Sequence, residues 1–150
     1  MYMKKFTFAL NVIKEYKEKL LENLKVEQTA ILAAIAEQKK LISEMEETER
    51  LVNLELNEKN SKGIAPYELV NYKRYLKVLQ NDIDTEYANL EKLKIAEEKK
   101  RIEILEMKKE TTSFEKLEEK KLEEYNFLAQ KENELFIEEF VSNQKTSLKR

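Results

Sequence analysis

The residues of this chain that are able to carry out acid–base chemistry are adjacent glutamates spread along its length. Examples are Glu46-Glu47, Glu97-Glu98 and Glu138-Glu139. Catalysis requires a carboxylate in a desolvated pocket, because desolvation shifts its pKa. The helical pattern described below predicts a rod without a concave interior. We therefore interpret these pairs as parts of solvated charged faces and expect no enzymatic activity.

Missing residue types exclude most other chemistry. The sequence contains no His and no Cys. Zinc and transition-metal sites depend on those ligands, and disulfides and thiolate nucleophiles need cysteine. Gly63 is the single glycine, and one glycine cannot build a Gly-rich phosphate loop. We expect neither a metal nor a cofactor.

Charge and hydropathy narrow the class of protein further. The formal net charge is −2, with both signs interspersed, whereas nucleic-acid-binding proteins usually carry a net basic face. No apolar run approaches the roughly 18 residues of a membrane span. Asn11 and Lys14 also interrupt the stretch that a signal peptide would need. The sequence predicts a cytoplasmic protein that neither inserts into a membrane nor binds nucleic acid.

An apolar heptad pattern predicts one long helix from about Lys4 to Asn60. Charged residues make up 39% of the chain, well above the roughly 25% of an average globular domain, as is typical of coiled coils. A stripe at heptad a, d and e positions faces a partner helix. Its apolar members are Phe6, Leu10, Ile13, Leu20, Leu21, Leu24, Ile31, Ala34, Ile35, Leu41, Ile42, Met45, Val52 and Leu56.

Residues 61–65 are the predicted turn. Gly63 suits the position after a helix end, where φ is positive, and Pro66 suits the first position of the next helix. So short a link between long helices favours an antiparallel hairpin. The alternative is one continuous helix kinked at Pro66.

The second helix is predicted from about Pro66 to Asn143, with a weak point at residues 111–113 from two threonines and a serine. If the turn centres on Gly63, residue n faces about residue 126 − n, so the second helix beyond about Leu122 has no partner in its own chain. Apolar surface left in water at about 25 cal/mol per Å² is costly, so we expect another protein to cover it. The apolar residues of this overhang are Tyr125, Phe127, Leu128, Leu135, Phe136, Ile137, Phe140 and Val141.

A second apolar stripe is possible near the turn. Tyr75, Val78, Leu79 and Asp82 follow helical spacing, and tyrosine is enriched at interface hot spots. The pattern is equally compatible with Tyr75 lying along its own helix.

Three segments of the sequence carry a family resemblance. The opening Phe6-Thr7-Phe8-Ala9-Leu10 is similar to the F-x-F-x-L opening of the FliJ-type flagellar export proteins. Lys62-Gly63-Ile64, followed by Asn71-Tyr72 and Tyr75, is similar to that family's G-I turn and N-Y-x-x-[FY] helix. The acidic and basic run at 118–124 is similar to its C-terminal part.

The resemblance implies a bacterial type III export component and a cytoplasmic coiled coil that looks like the central stalk of rotary ATP synthases. Such a protein enters the hexameric ring of the export ATPase, promotes its assembly and activity, and contacts the cytoplasmic domain of the export gate. Export chaperones are further candidate partners. The protein would associate peripherally with the basal body at the inner membrane and be monomeric alone.

The resemblance also implies two sets of contact residues. The set for the ATPase ring is Phe6, Phe8, Leu10, Leu128, Leu135, Phe136 and Phe140. The set for the export gate is Leu41, Met45, Thr48, Val52, Tyr75, Leu79, Asp82 and Glu86. Three members of the second set are polar, and three others also belong to the predicted seam between the helices.

Two alternatives remain at this stage. The first is the equivalent stalk of a virulence-type secretion system. The second is a structural tether that self-associates through its apolar stripes, which predicts a constant dimer or trimer. Nucleic-acid binding through Lys99-Lys100-Arg101 is disfavoured by the acidic residues around it.

Overall fold

A computed structural model describes residues 4–148 of the chain. They form two long helices, α1 (Asn11–Lys62) and α2 (Pro66–Leu148), which pack against each other. There is no strand between residues 4 and 148, and the predicted all-α hairpin is confirmed. No helix in this described range is long and apolar enough to cross a bilayer.

The turn forms where the single glycine and the single proline predict it. Gly63 has a φ of 97°, which a residue with a Cβ rarely adopts. Residues 63–65 lie outside both helices, so the alternative of one kinked helix does not apply. The carbonyl of Ala65 accepts hydrogen bonds from the amides of Glu68 (3.0 Å) and Leu69 (3.1 Å) and so starts α2.

The helix bounds differ from the pattern at two ends. Residues 4–10, which the heptad pattern placed in the first helix, precede it, and the amide of Asn11 donates to the carbonyl of Phe8 at 3.0 Å. At the other end α2 continues to Leu148, past the expected end near residue 143. Residues 111–113 remain helical, and the Thr111 and Ser113 hydroxyls donate to carbonyls of the preceding turn.

The chain divides into two compact units. The turn unit comprises residues 23–104 and contains the link between the helices. The terminal unit comprises the described residues 4–22 and 105–148, and so contains both ends of the hairpin.

The turn unit has a narrow apolar seam with polar pairs beside it. The hydrophobic side chains buried there are Ile42, Leu56, Leu79, Ile83, Leu90 and Ile104. The amide of Gln38 donates to the carbonyl (2.9 Å) and the carboxylate of Glu86, and that of Gln28 donates to Glu97 at 3.3 Å. These pairs match a register in which residue n faces about residue 126 − n, so they hold the two helices at the predicted offset.

The terminal unit is held by ion pairs and one aromatic contact. Lys14 pairs with Glu118, and Lys17 lies 3.0 Å from Glu110. The rings of Phe6 and Tyr125 have centroids 5.5 Å apart. Residues before Asn11 therefore contact α2 even though they do not extend α1.

Candidate protein-binding surfaces

Residues 4–10, called here the N-terminal segment, show an alternation of burial. Phe6, Phe8 and Leu10 are half-buried, while the residues between them are exposed. Alternation with a period of two is the pattern of an extended chain lying on a surface. The heptad pattern places Phe6 and Leu10 on a helical stripe. In the structure Phe6 instead precedes α1 without regular secondary structure, and Leu10 lies in the turn that leads into α1.

The surface under the N-terminal segment belongs to α2. Together they line a groove formed by Phe6, Thr7, Phe8, Ala9, Leu10, Leu117, Lys121, Glu124, Tyr125 and Leu128. The Tyr125 hydroxyl donates to the carbonyl of Lys4 at 2.6 Å. Three residues predicted to contact the ATPase ring, Phe6, Phe8 and Leu10, are thus partly covered by their own chain.

The C-terminal segment, residues 126–148 of α2, is a helix with little cover. All side chains from Asn133 to Leu148 are exposed. Leu135, Phe136 and Ile137 are 59%, 52% and 52% exposed. Consecutive residues point about 100° apart, so these three spread over roughly 200° of the helix circumference. No single flat partner covers all three.

Phe140 and Leu128 complete the C-terminal set that the sequence predicted, and each is more than half exposed. Acidic residues, Glu132, Glu134, Glu138 and Glu139, lie between the apolar ones. Lys131 places its Nζ 4.8 Å from the ring centroid of Phe127. The segment therefore presents exposed apolar side chains interspersed with acidic ones.

The residues predicted to contact the export gate lie in the turn unit and are not equally accessible. Tyr75 is 50% exposed, whereas Leu79 is 9% exposed and lies in the seam. Glu86 accepts hydrogen bonds from Gln38 across the helices. The others range from half-buried, for Met45 and Val52, to exposed, for Leu41, Thr48 and Asp82.

A groove close to the turn joins two of these residues to others that the sequence reading did not single out as contacts. It is lined by Val52, Lys59, Glu68, Asn71, Tyr72 and Tyr75. The Lys59 Nζ lies 5.2 Å from the ring centroid of Tyr72, whose hydroxyl donates to Glu55 at 2.9 Å. The Tyr72 hydroxyl, and secondarily Glu55, raise the pKa of Lys59. Lysine is protonated at neutral pH even at its ordinary pKa, so the groove carries a cation there.

The acid pairs form ordinary surface interactions. Arg50 holds the pKa of the Glu47 carboxyl below its usual value through a hydrogen bond, and Arg101 does the same for Glu98. A general acid at neutral pH needs a shift in the opposite direction. Among residues 4–148 no cluster of three His, Cys, Asp or Glu side chains has the arrangement of a metal site.

The fold and its exposed side chains together define an all-helical hairpin with surfaces suited to binding other proteins. A family model described as the flagellar FliJ protein matches residues 4–146, nearly the whole chain. The chain belongs to the FliJ family, and its role lies in flagellar export and protein transport. The chain matches no curated protein and no solved structure closely enough to count as a relative.

Proposed function

We propose that this protein is the central stalk and adaptor of the flagellar export ATPase, with its terminal unit inside the hexameric ring. The observation that carries this proposal is the exposure of Leu135, Phe136 and Ile137 on three sides of α2. Exposed apolar side chains on three sides of a helix are covered only when other chains surround it. The central channel of a ring encloses a helix in this way.

The energy available from this enclosure is substantial. Full burial of a Leu or Phe side chain stabilises by about 1.5–3 kcal/mol. The apolar side chains of the C-terminal segment are about half exposed, so roughly half of this free energy would be released when a partner covers them. The exposed hydrophobic residues of the C-terminal segment are Phe127, Leu128, Leu135, Phe136, Ile137, Phe140, Val141 and Leu148. Together they offer on the order of 8 kcal/mol before the costs of association are subtracted.

The turn unit would serve the adaptor role by contacting the export gate. Of the predicted residues, Tyr75 and Val52 line the groove near the turn and are accessible to a partner. Leu79 is buried, so we assign it to the stability of the hairpin. Export chaperones are further proposed partners. We expect the protein to act at the cytoplasmic side of the basal body and to have no catalytic role of its own.

Self-association as a structural tether is the second candidate, because the same exposed C-terminal segment would also pair with another copy. The virulence-type alternative is disfavoured by the flagellar family match. Sedimentation equilibrium distinguishes the two hypotheses. The stalk hypothesis predicts that the isolated protein is a monomer of 17.9 kDa, and the tether hypothesis predicts a constant dimer or trimer.

The decisive experiment measures ATP hydrolysis and oligomer size of the cognate export ATPase with and without this protein. We expect faster hydrolysis and more hexamer on addition of the wild type. The double variant Phe136→Ser/Phe140→Ser should lose both effects while keeping its helicity, because both rings are exposed. The matched control is Leu51→Ser/Leu54→Ser in the turn unit, where each side chain is 52% exposed.

Unchanged hydrolysis and unchanged oligomer size with the wild type would refute the stalk proposal. Equal losses in the two double variants would show that the effect does not reside in the C-terminal segment.

A further inference from the structure

The N-terminal segment covers only part of a continuous apolar face of α2. Leu117, Tyr125 and Leu128 lie under or beside the segment. Leu135 follows Leu128 by seven residues, about two helical turns, and therefore points in nearly the same direction. Its side chain is 59% exposed. The N-terminal segment thus covers this apolar face of α2 only as far as Leu128, and the face continues uncovered to Leu135.

The contacts that hold this cover are few. Phe6, Phe8 and Leu10 are only half-buried. Besides the Phe6–Tyr125 ring contact, the hydrogen bond from the Tyr125 hydroxyl to the Lys4 carbonyl ties the segment to α2. In the described part of the chain no backbone–backbone hydrogen bond joins residues 4–10 to α2. The segment can therefore leave this face without breaking any ladder of hydrogen bonds.

The sequence of the segment satisfies two conformations. In the observed state Phe6 and Phe8 are half-buried in a stretch without regular secondary structure, and Leu10 is half-buried in the turn that leads into α1. Phe6, Leu10 and Ile13 follow the i, i+4, i+7 spacing of a helix. No glycine or proline lies between residues 4 and 10 to prevent α1 from extending over them. After release, the segment would continue α1 by about two turns.

We propose that the N-terminal segment is a displaceable strap, which covers the 117–128 face of α2 in the free protein and leaves it when a partner binds. A partner that binds at Leu135 and extends along the same face of α2 meets the strap at Leu128. The partner can then contact the 117–128 face only if the strap moves away. Strap release exposes the groove and frees Phe6 and Phe8 for the partner. This inference rests on the proposed binding of the export ATPase.

The absence of native cysteine allows a direct test. The variant Phe6→Cys/Tyr125→Cys is closed with a short reducible thiol cross-linker, and its affinity for the export ATPase is measured before and after reduction. The control Lys17→Cys/Glu110→Cys joins α1 to α2 at the 3.0 Å ion pair in the same unit and leaves the strap free.

We expect the closed strap to weaken binding by at least about tenfold, because the cross-link removes the population in which the 117–128 face is free. Reduction should restore the affinity, and the control should bind equally in both forms. The variant Tyr125→Phe keeps the ring contact with Phe6 but loses the hydrogen bond to the Lys4 carbonyl. It should bind a few-fold more tightly than wild type.

Equal affinity of the closed and reduced strap variant would overturn the strap proposal while leaving the ATPase proposal intact. Weakening of the Lys17/Glu110 control to the same extent would also overturn it, because helix separation would then explain the effect. Failure of every form to bind, wild type included, would refute the proposed function and the strap with it.

Discussion

Replacement of Leu90 by aspartate tests whether the thin seam of the turn unit holds the hairpin together. Leu90 is 6% exposed. Removing a buried leucine side chain costs about 2–5 kcal/mol, and placing an ionised carboxylate there without a partner adds several kcal/mol. The sum approaches the roughly 5–15 kcal/mol by which native domains are stable. We expect Leu90→Asp to be largely unfolded at neutral pH.

The measurement is urea unfolding followed by circular dichroism, with Ile95→Asp as the control. Ile95 lies on the same helix and in the same unit but is 53% exposed. A surface substitution of this kind usually changes the free energy of unfolding by only about 0.5 kcal/mol. The two variants therefore differ in burial and in little else.

The pH dependence of Leu90→Asp provides a second readout. Burial would raise the pKa of the new carboxyl above its unfolded value of about 3.9. Because the folded pKa is raised, protonation of this carboxyl stabilises the folded variant. This stabilisation is complete below the unfolded pKa and is lost as pH rises through the folded pKa. The deficit against wild type should shrink at low pH. Equal stability of the two variants at neutral pH would refute the assignment of Leu90 to the core.

Two further predictions concern the turn and the terminal unit. Gly63→Ala should destabilise the hairpin by about 1 kcal/mol, because alanine is strained at a φ of 97°; thermal melting against Asn60→Ala measures it, and an unchanged midpoint would contradict it. A hydrogen bond with Glu118, followed by Coulombic attraction, raises the pKa of Lys14 above 10.5. A raised folded pKa gives stability that is full below the unfolded value and is lost as pH rises through the folded one. Unfolding of wild type and Lys14→Met between pH 9 and 12 should show the larger loss in wild type, and parallel curves would argue against this ion pair.

The sequence was sufficient to predict the hairpin, because one glycine and one proline fix the turn and the heptad rows fix the facing sides. Counting outward from Gly63 placed Gln28 near Glu97 and Gln38 near Glu86, and both pairs form hydrogen bonds. The same count placed Leu135 beyond the reach of α1, and it is exposed.

The start of α1 was not predictable from the sequence. Phe6 and Leu10 satisfy helical spacing, yet residues 4–8 form no helix and residues 9–10 form a turn. The contact of Phe6 with Tyr125 on α2, which residue spacing does not reveal, accompanies this state. The groove near the turn was missed for a different reason. It depends on the side-chain conformations of Lys59 and Tyr72, which residue spacing does not specify.

The antiparallel arrangement also sets the order in which contacts become available during synthesis. Tyr72 reaches Glu55 across 17 residues, Glu86 reaches Gln38 across 48, and Tyr125 reaches Lys4 across 121. At a translation rate of about 5–20 residues per second, Lys4 waits roughly 6–24 s for Tyr125 to be made. Among these contacts the one that holds the N-terminal segment therefore becomes available last, and Phe6 and Phe8 should stay accessible to chaperones for longer than the residues near the turn.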